Sequence, residues 1–193
     1  METDEFWALI DSARDEAKAD PARQTELLTR SLSGLAADDI VSFDAHFRST
    51  RARGYTWDLW AVGFLAAGGM SDDAFMDFRA YLIGRGREVW ERALEDPDAI
   101  TDELDWGPNR EPAEAIGDSE GLAYAAAQAY EQSTGSEIPA LGASDDGSAD
   151  EPADEPAEPS GLPWNEDRPK DLAERFPQAW ARWGSGDETD DED

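Results

Sequence analysis

The chain has 193 residues, enough for one domain with a sizeable core, and its formal net charge is −30. Acidic side chains outnumber basic ones by 20 to 11 in residues 1–100 and by 26 to 5 in residues 101–193. This charge argues against direct binding of nucleic acid, which needs clustered Lys and Arg. The chain has no cysteine, which excludes disulfides, thiolate metal ligands and cysteine nucleophiles.

Apolar residues recur with helical spacing through the first hundred residues, so this part of the chain is predicted to be α-helical. We expect five successive helices, followed by a sixth that runs through Trp90 to about residue 95. The five cover about residues 4–18, 20–34, 37–53, 56–67 and 71–84. Asp20 and Ser71 have the side chains of N-caps for the second and fifth helices, and Gly68 and Gly69 end the fourth.

Beyond residue 96 the helical pattern is weaker. Residues 99–104 are predicted to form one short helical turn, and Ser119 is expected to cap a helix that ends at Gly135. Large aromatic side chains usually contribute to the core, and we expect this of four tryptophans, Trp7, Trp57, Trp60 and Trp90. The alternative is that Trp57, Asp58 and Trp60 line a groove.

The C-terminal third is acidic and poor in large apolar residues. Residues 140–160 cannot bury enough surface to offset the entropy lost on ordering, so they are predicted to be disordered. Aromatic residues return in residues 170–183, where Pro177 interrupts any helix, and this segment is expected to dock on the core or on a partner. The last seven residues are acidic and are expected to be solvated.

The predicted fold class is therefore all-α. We expect a single compact multi-helix domain over residues 1–135, an acidic and largely disordered linker over residues 136–168, an aromatic docking segment over residues 169–184 and an acidic tail over residues 185–193. The first residues are acidic where a signal peptide would be basic, and no apolar run approaches the ~18 residues that span a bilayer. A cytoplasmic location without membrane contact is expected.

No residue pattern in the chain amounts to a catalytic or cofactor-binding signature, and neither a cofactor nor a metal is predicted. His46 is the only histidine, but a lone histidine between two aromatic residues is more typical of a helix boundary than of a general base. Asp73 and Asp77 are four residues apart and could share a hard cation. Asp72 and Asp73 are better explained by the favourable dipole of a helix N-terminus.

Arginines cluster around Gly84 and Gly86, and they could hold a phosphate or a carboxylate group. The cluster consists of Arg79, Arg85, Arg87 and Arg92. A G-x-G sequence without a preceding strand is not evidence for nucleotide binding. The favoured interpretation is that arginine balances a helix C-terminus, with Arg85 and Arg87 pairing to nearby acids.

Residues 57–98 carry a resemblance to a known family. An aromatic-rich helix, a Gly-Gly turn, the segment S-D-D-A-F-M-D-F-R-A-Y-L-I-G and the turn A-L-E-D-P-D follow one another there. This order is similar to the DUF4240 family of bacterial proteins, as are the opening F-W-A-L-I-D-S-A-R and the closing E-R-F-P-Q-A-W-A-R-W. The family is defined by its unknown function, so the resemblance implies no activity and no catalytic residues. It does imply that residues 170–183 belong to the folded unit.

The leading hypothesis is a noncatalytic helical interaction module that binds a basic protein through long-range electrostatics. A narrower form is an immunity or antitoxin-like protein that neutralises a basic toxin. The alternative is a carboxylate-based, metal-dependent enzyme that would use Asp58, Asp72, Asp73 and Arg79, with His46 as a further candidate, in a pocket between the fourth and fifth helices.

Overall fold

Helices make up most of the part of the chain that the structure describes. The structure, a computed structural model, describes residues 1–18, 20–104, 106, 111–139, 156–165 and 168–184. The α-helices of these residues are α1 (Thr3–Ala17), α2 (Pro21–Ser33), α3 (Ala37–Arg53), α4 (Trp57–Ala67), α5 (Asp72–Gly84), α6 (Arg87–Glu95), α7 (Pro112–Gly117), α8 (Glu120–Thr134), α9 (Pro169–Arg175) and α10 (Pro177–Trp183). A 3₁₀ helix, η1 (Pro97–Glu103), follows α6. No β-strand occurs in this part of the chain, and the predicted all-α class is confirmed.

Local sequence signals explain where several of these helices begin. The Asp20 carboxylate accepts a hydrogen bond from the Arg23 amide at 3.0 Å, and the Ser71 hydroxyl accepts one from the Ala74 amide at 3.2 Å. These bonds satisfy amides that have no partner inside the helix. At the other end of α4, Gly68 adopts the left-handed conformation with φ of +68°. The predicted caps of α2 and α5 are confirmed.

One predicted cap is wrong. Ser119 has helical backbone angles and its hydroxyl donates to the Ala115 carbonyl at 3.0 Å, so it does not cap α8 with its side chain. The reason is that α7 runs into α8 without an extended residue between them. The six-residue α7 was not predicted, because so short a segment shows too little periodicity.

Helix α5 is the centre of the domain. It contacts the four helices that precede it in the chain, α1 to α4, and the three that follow it, α6 to α8. Its C-terminal half is buried on all sides, and Phe78, Ala80, Leu82 and Ile83 are fully buried. Two glycines permit close helix packing nearby, since a Cβ on Gly84 would lie 2.6 Å from Leu122 and one on Gly121 would lie 2.9 Å from Thr25.

The terminal aromatic segment packs on the domain. Helix α10 contacts α4 and η1, and Leu172, Phe176 and Ala179 are buried. Residues 156–165, part of the predicted linker, form an extended segment in which Ser160 pairs with the α3–α4 connection. The remaining predicted disorder, over residues 140–155, lies outside the described residues, as does the acidic tail from residue 185.

Candidate functional site

Asp58 is held by an ion pair with the terminal segment. It lies in the first turn of α4, and the Arg175 guanidinium at the end of α9 donates to its carboxylate. The same guanidinium donates to the carbonyl oxygens of Leu162 at 2.9 Å and Pro163 at 3.3 Å. Arg175 therefore joins α4, the extended segment and α9. Asp58 contributes to this junction.

Arg79 is buried and lies against two aromatic rings. Its side chain is 1% exposed, and its guanidinium carbon lies 4.7 Å from the Tyr55 ring centroid and 4.6 Å from that of Phe75. Its Nε donates to the Phe75 carbonyl at 3.3 Å. The Tyr55 hydroxyl donates to Asp72 at 3.1 Å, so Asp72 and Arg79 both contact Tyr55. Cation–π contacts of this kind stabilise a desolvated guanidinium.

His46 has a structural environment on α3. Its Nδ1 lies 2.9 Å from the Ser42 carbonyl oxygen, so Nδ1 carries the proton and donates. Its ring stacks on Phe6 with the centroids 5.8 Å apart. Within the described part of the chain, no hydrogen bond or ion pair joins His46 to Asp58 or Asp73.

Asp77 is the carboxyl group with the most perturbed environment on α5. Burial is the main cause that raises its pKa from 3.8 to about 6, and the negative charges of Glu120 and Asp73 add to the effect. The charge of Arg51 opposes it. Asp73 itself is exposed in the first turn of α5. Across the described ranges, no three His, Asp or Glu side chains come together as a metal site.

Two arginines of the basic cluster, Arg87 and Arg92, pair with separate acids, whereas the buried Nε of Arg85 has no hydrogen-bond partner within the part of the chain that the structure describes. Arg87 donates to Asp4 at 2.9 Å and to Glu91 at 2.7 Å, and Arg92 pairs with Glu103. Hydrogen bonds and charge from Glu91, and then from Asp4, raise the pKa of Arg87. Gly86 does not cradle a ligand, because Arg14 fills the space beside it and donates to the Arg85 carbonyl at 2.8 Å.

The tryptophans of α4 are only partly buried, which differs from the core position expected for them. Trp57 and Trp60 stack with centroids 5.5 Å apart, and Trp60 stacks on Phe75 at 4.9 Å. The extended segment lies beside this face, since the Trp57 amide donates to the Ser160 carbonyl at 2.9 Å and Trp164 contacts Phe64. Trp7 and Trp90 are in the core as expected.

Asp98 anchors the terminal segment, and the sequence offered no direct sign of this role. Its carboxylate oxygens accept the amides of Gln178 at 3.0 Å and Ala179 at 2.8 Å. These are free amides of the first turn of α10, so Asp98 caps that helix from 80 residues away. Pro177 at the first helical position was the only local signal that a helix begins there.

An open cleft of about 490 Å³ lies between α1 and the start of α3. The apolar part of its lining comes from Met1, Ala8, Leu9 and Leu35, and the exposed Glu5 and Asp39 stand at its rim. Ser12 lies at one end. In the described part of the molecule, no basic side chain pairs with Glu5, Asp38 or Asp39. Sequence reasoning did not combine these residues into a site, because those of α1 lie about 30 positions from those of the α2–α3 turn and α3.

The fold and these contacts define an all-α domain whose C-terminal aromatic segment is packed against it by Asp98 and Arg175. The chain belongs to the family described as "Protein of unknown function (DUF4240)", whose model matches residues 1–132. The match ends inside α8, so the resemblance of the terminal segment to the family stays a prediction. Neither the curated proteins nor the solved structures contain a match to this chain. Among the described residues, no helix has the length and apolar character that crossing a membrane requires.

Proposed function

We propose that this chain is a noncatalytic helical interaction module of the bacterial cytoplasm that binds a basic protein. The observation that carries the proposal is a contrast between two groups of acids. Asp58 is paired with Arg175, and Asp72 accepts a hydrogen bond from Tyr55. By contrast, Asp38 and Asp39 have no basic partner among the described residues and stand exposed beside an apolar cleft.

Charge supports this proposal at longer range. The net charge of −30 attracts cationic surfaces and repels anionic ones. Such attraction raises the rate of encounter and selects partners, and it weakens as salt screens it. The exposed carboxylates beside the apolar cleft, which pair with no basic side chain among the described residues, supply the short-range part of such an interface.

A salt-dependent pull-down tests the proposed function. The full chain is immobilised, and proteins retained at about 50 mM salt and released at about 300 mM are identified and purified. Direct titration of the purified partner should then show binding that weakens at least about tenfold between these two conditions. Failure of every retained protein to bind in purified form contradicts the proposal.

A variant with a neutral tail tests whether binding depends on the acidic tail or on the folded domain. Replacing the acids of residues 187–193 with Asn and Gln removes charge from a segment outside the described residues and leaves the cleft unchanged. Binding of the purified partner should persist in this variant. Its complete loss would show that the tail attracts basic proteins without help from the folded surface.

An immunity or antitoxin-like role is a narrower form of the same proposal, in which the basic partner is a toxin. A toxin gene beside the gene for this chain, and inhibition of that toxin by the purified chain, would support it. The carboxylate enzyme makes a different prediction, namely saturable binding of Mg²⁺ or Mn²⁺ in calorimetry after deletion of the acidic tail.

A further inference from the structure

We infer that the cleft between α1 and α3 is the docking site and that its occupant is an amphipathic, basic α-helix of the partner protein. This inference rests on the proposed function and deepens it. The cleft is formed by Ala8, Leu9 and Leu35 with Glu5 and Asp39 at the rim, and it has a volume of about 490 Å³.

The shape of the cleft fits a helix. Glu5, Ala8 and Ser12 recur at helical spacing, so they form one row along α1, and Met1 lies just before the helix. The row of two turns corresponds to about 10 Å at 1.5 Å per residue. Leu9 and Leu35 are half-buried and form an apolar strip beside this row. A partner helix that places apolar residues at i, i+3, i+4 and i+7 can lay them on such a strip.

The charge of the rim indicates that the occupant is basic. Glu5 and Asp39 line the cleft, Asp38 directly precedes Asp39, and Glu2 lies three residues before Glu5; Asp38 and Glu2 are both exposed. The Met1 ammonium donates to the Ser42 hydroxyl at 2.8 Å and Arg87 donates to Asp4 and Glu91, so neither positive group pairs with Glu5 or Asp39. Lys or Arg on the polar face of a docked helix would pair with these carboxylates and oppose their mutual repulsion.

Two other occupants conflict with the same charges. Residues 140–160 of this chain contain seven acids and no Lys or Arg, so the rim repels them. A second copy would bring Glu5 and Asp39 against an identical acidic rim. An extended peptide would need a strand edge to pair with, and none of the residues that line the cleft lies in a strand.

Synthetic peptides of about 18 residues can serve as probes. The first peptide carries Leu at helical i, i+3, i+4 and i+7 positions and Lys elsewhere, and the second has the same composition in scrambled order. Binding of each peptide to the full chain is measured by fluorescence anisotropy at about 50 mM salt. We expect the amphipathic peptide to bind at least about tenfold more tightly than the scrambled one. Equal binding would mean that charge alone attracts the peptide, which overturns the inference and leaves the proposed function standing.

A pair of matched variants locates the site. Ser12 lines the cleft and Ser49 lies exposed on α3, ten residues beyond Asp39 and therefore about 15 Å along the helix. Ser12→Arg should weaken binding of the amphipathic peptide at least about tenfold, because the new side chain blocks the cleft and repels Lys. Ser49→Arg changes the net charge equally and should weaken binding less than about twofold. Both serines are exposed, so neither change threatens the fold.

The outcomes distinguish the inference from the proposed function. Equal effects of Ser12→Arg and Ser49→Arg would place the docking surface elsewhere on the molecule and overturn the inference alone. Absence of binding by both peptides would also overturn the inference. The proposed function would then be tested by titration of the purified partner from the pull-down.

Discussion

Gly86 turns the chain between α5 and α6 with φ of +99°, a conformation that side-chain-bearing residues rarely adopt. A Cβ there would lie 1.9 Å from Nη1 of Arg14, which in turn holds the Arg85 carbonyl at 2.8 Å. The glycine is therefore required by the turn and by a side chain from α1. Both reasons are structural, and neither involves a phosphate ligand.

Gly86→Ala should destabilise the protein by about 3 kcal/mol, because it combines backbone strain with a clash against Arg14. Urea unfolding measures the loss. Gly34→Ala is the matched control, since Gly34 has φ of −85° and its nearest neighbour to a Cβ lies at 3.5 Å. Equal destabilisation by the two substitutions would contradict this account.

The Asp77 carboxyl makes stability depend on pH. Its pKa is about 6 in the folded protein, above the ordinary 3.8, because burial and the charges of Glu120 and Asp73 disfavour the ionised form. The folded state therefore holds this proton more tightly than the unfolded state. Protonation of Asp77 therefore stabilises the folded protein fully below about pH 4, and this stabilisation is lost as the pH rises through about 6.

Asp77→Asn should consequently stabilise the protein at pH 7 by about 1 kcal/mol, less than the full linkage value because solvent screens a half-buried carboxyl. The advantage should disappear below about pH 4, where the wild-type carboxyl is protonated. Unfolding free energies across this pH range measure it. Glu131→Gln, on the exposed side of α8, serves as the control and should show no such pH dependence.

At the scale of elements, helix α10 depends on a residue outside itself. With only seven residues it is too short to be stable alone, and its first amides are satisfied by Asp98 of η1. Thr101 strengthens the same turn by donating to the Asp98 carbonyl at 2.7 Å. The D-P-D turn thus serves two helices, since the side chain of Asp96 caps η1 and that of Asp98 caps α10.

Asp98→Ala should release the first turn of α10 and destabilise the protein by about 1–2 kcal/mol, the usual effect of losing a helix cap. Hydrogen exchange at residues 178–183 should accelerate more than exchange in α5. Asp102→Ala is the control, because the Asp102 side chain is 93% exposed and lies 3.8 Å from Arg182. Unchanged exchange in α10 after Asp98→Ala would show that the cap is unimportant.

For the whole molecule, the question is whether the terminal segment is part of the cooperative fold. Leu172, Phe176 and Ala179 are buried against the domain, and Arg175 and Arg182 connect the segment to Asp58 and to the Thr101 carbonyl. These contacts join residues more than 75 positions apart. We therefore expect α9 and α10 to unfold together with α1 to α8.

Deletion of residues 169–193 should lower the free energy of unfolding by about 4 kcal/mol, through the loss of two large apolar side chains and their hydrogen bonds from the core. The urea m-value should fall as well, because less surface is exposed on unfolding. Deletion of residues 185–193 removes the acidic tail alone and should change neither quantity. If the two deletions behave alike, the segment is not part of the cooperative unit.

Local information in the sequence determined the helical class and most helix limits. The predicted spans of α1 to α6 agree with the structure to within a few residues, because periodicity and caps such as Asp20 and Ser71 act over only a few positions. The same local signals indicated a break at Pro177. They also placed the excess charge in the C-terminal part of the chain.

Only the tertiary structure decided what the polar side chains do. Asp58 pairs with a residue 117 positions away, Asp98 caps a helix 80 positions away, and the cleft combines Leu9 with Leu35. None of these partners is indicated by residues nearby in sequence, and burial of Arg79 between aromatic rings depends on how α5 meets the α3–α4 connection. Helical periodicity follows from neighbours along the chain, whereas a binding surface depends on which helices pack together.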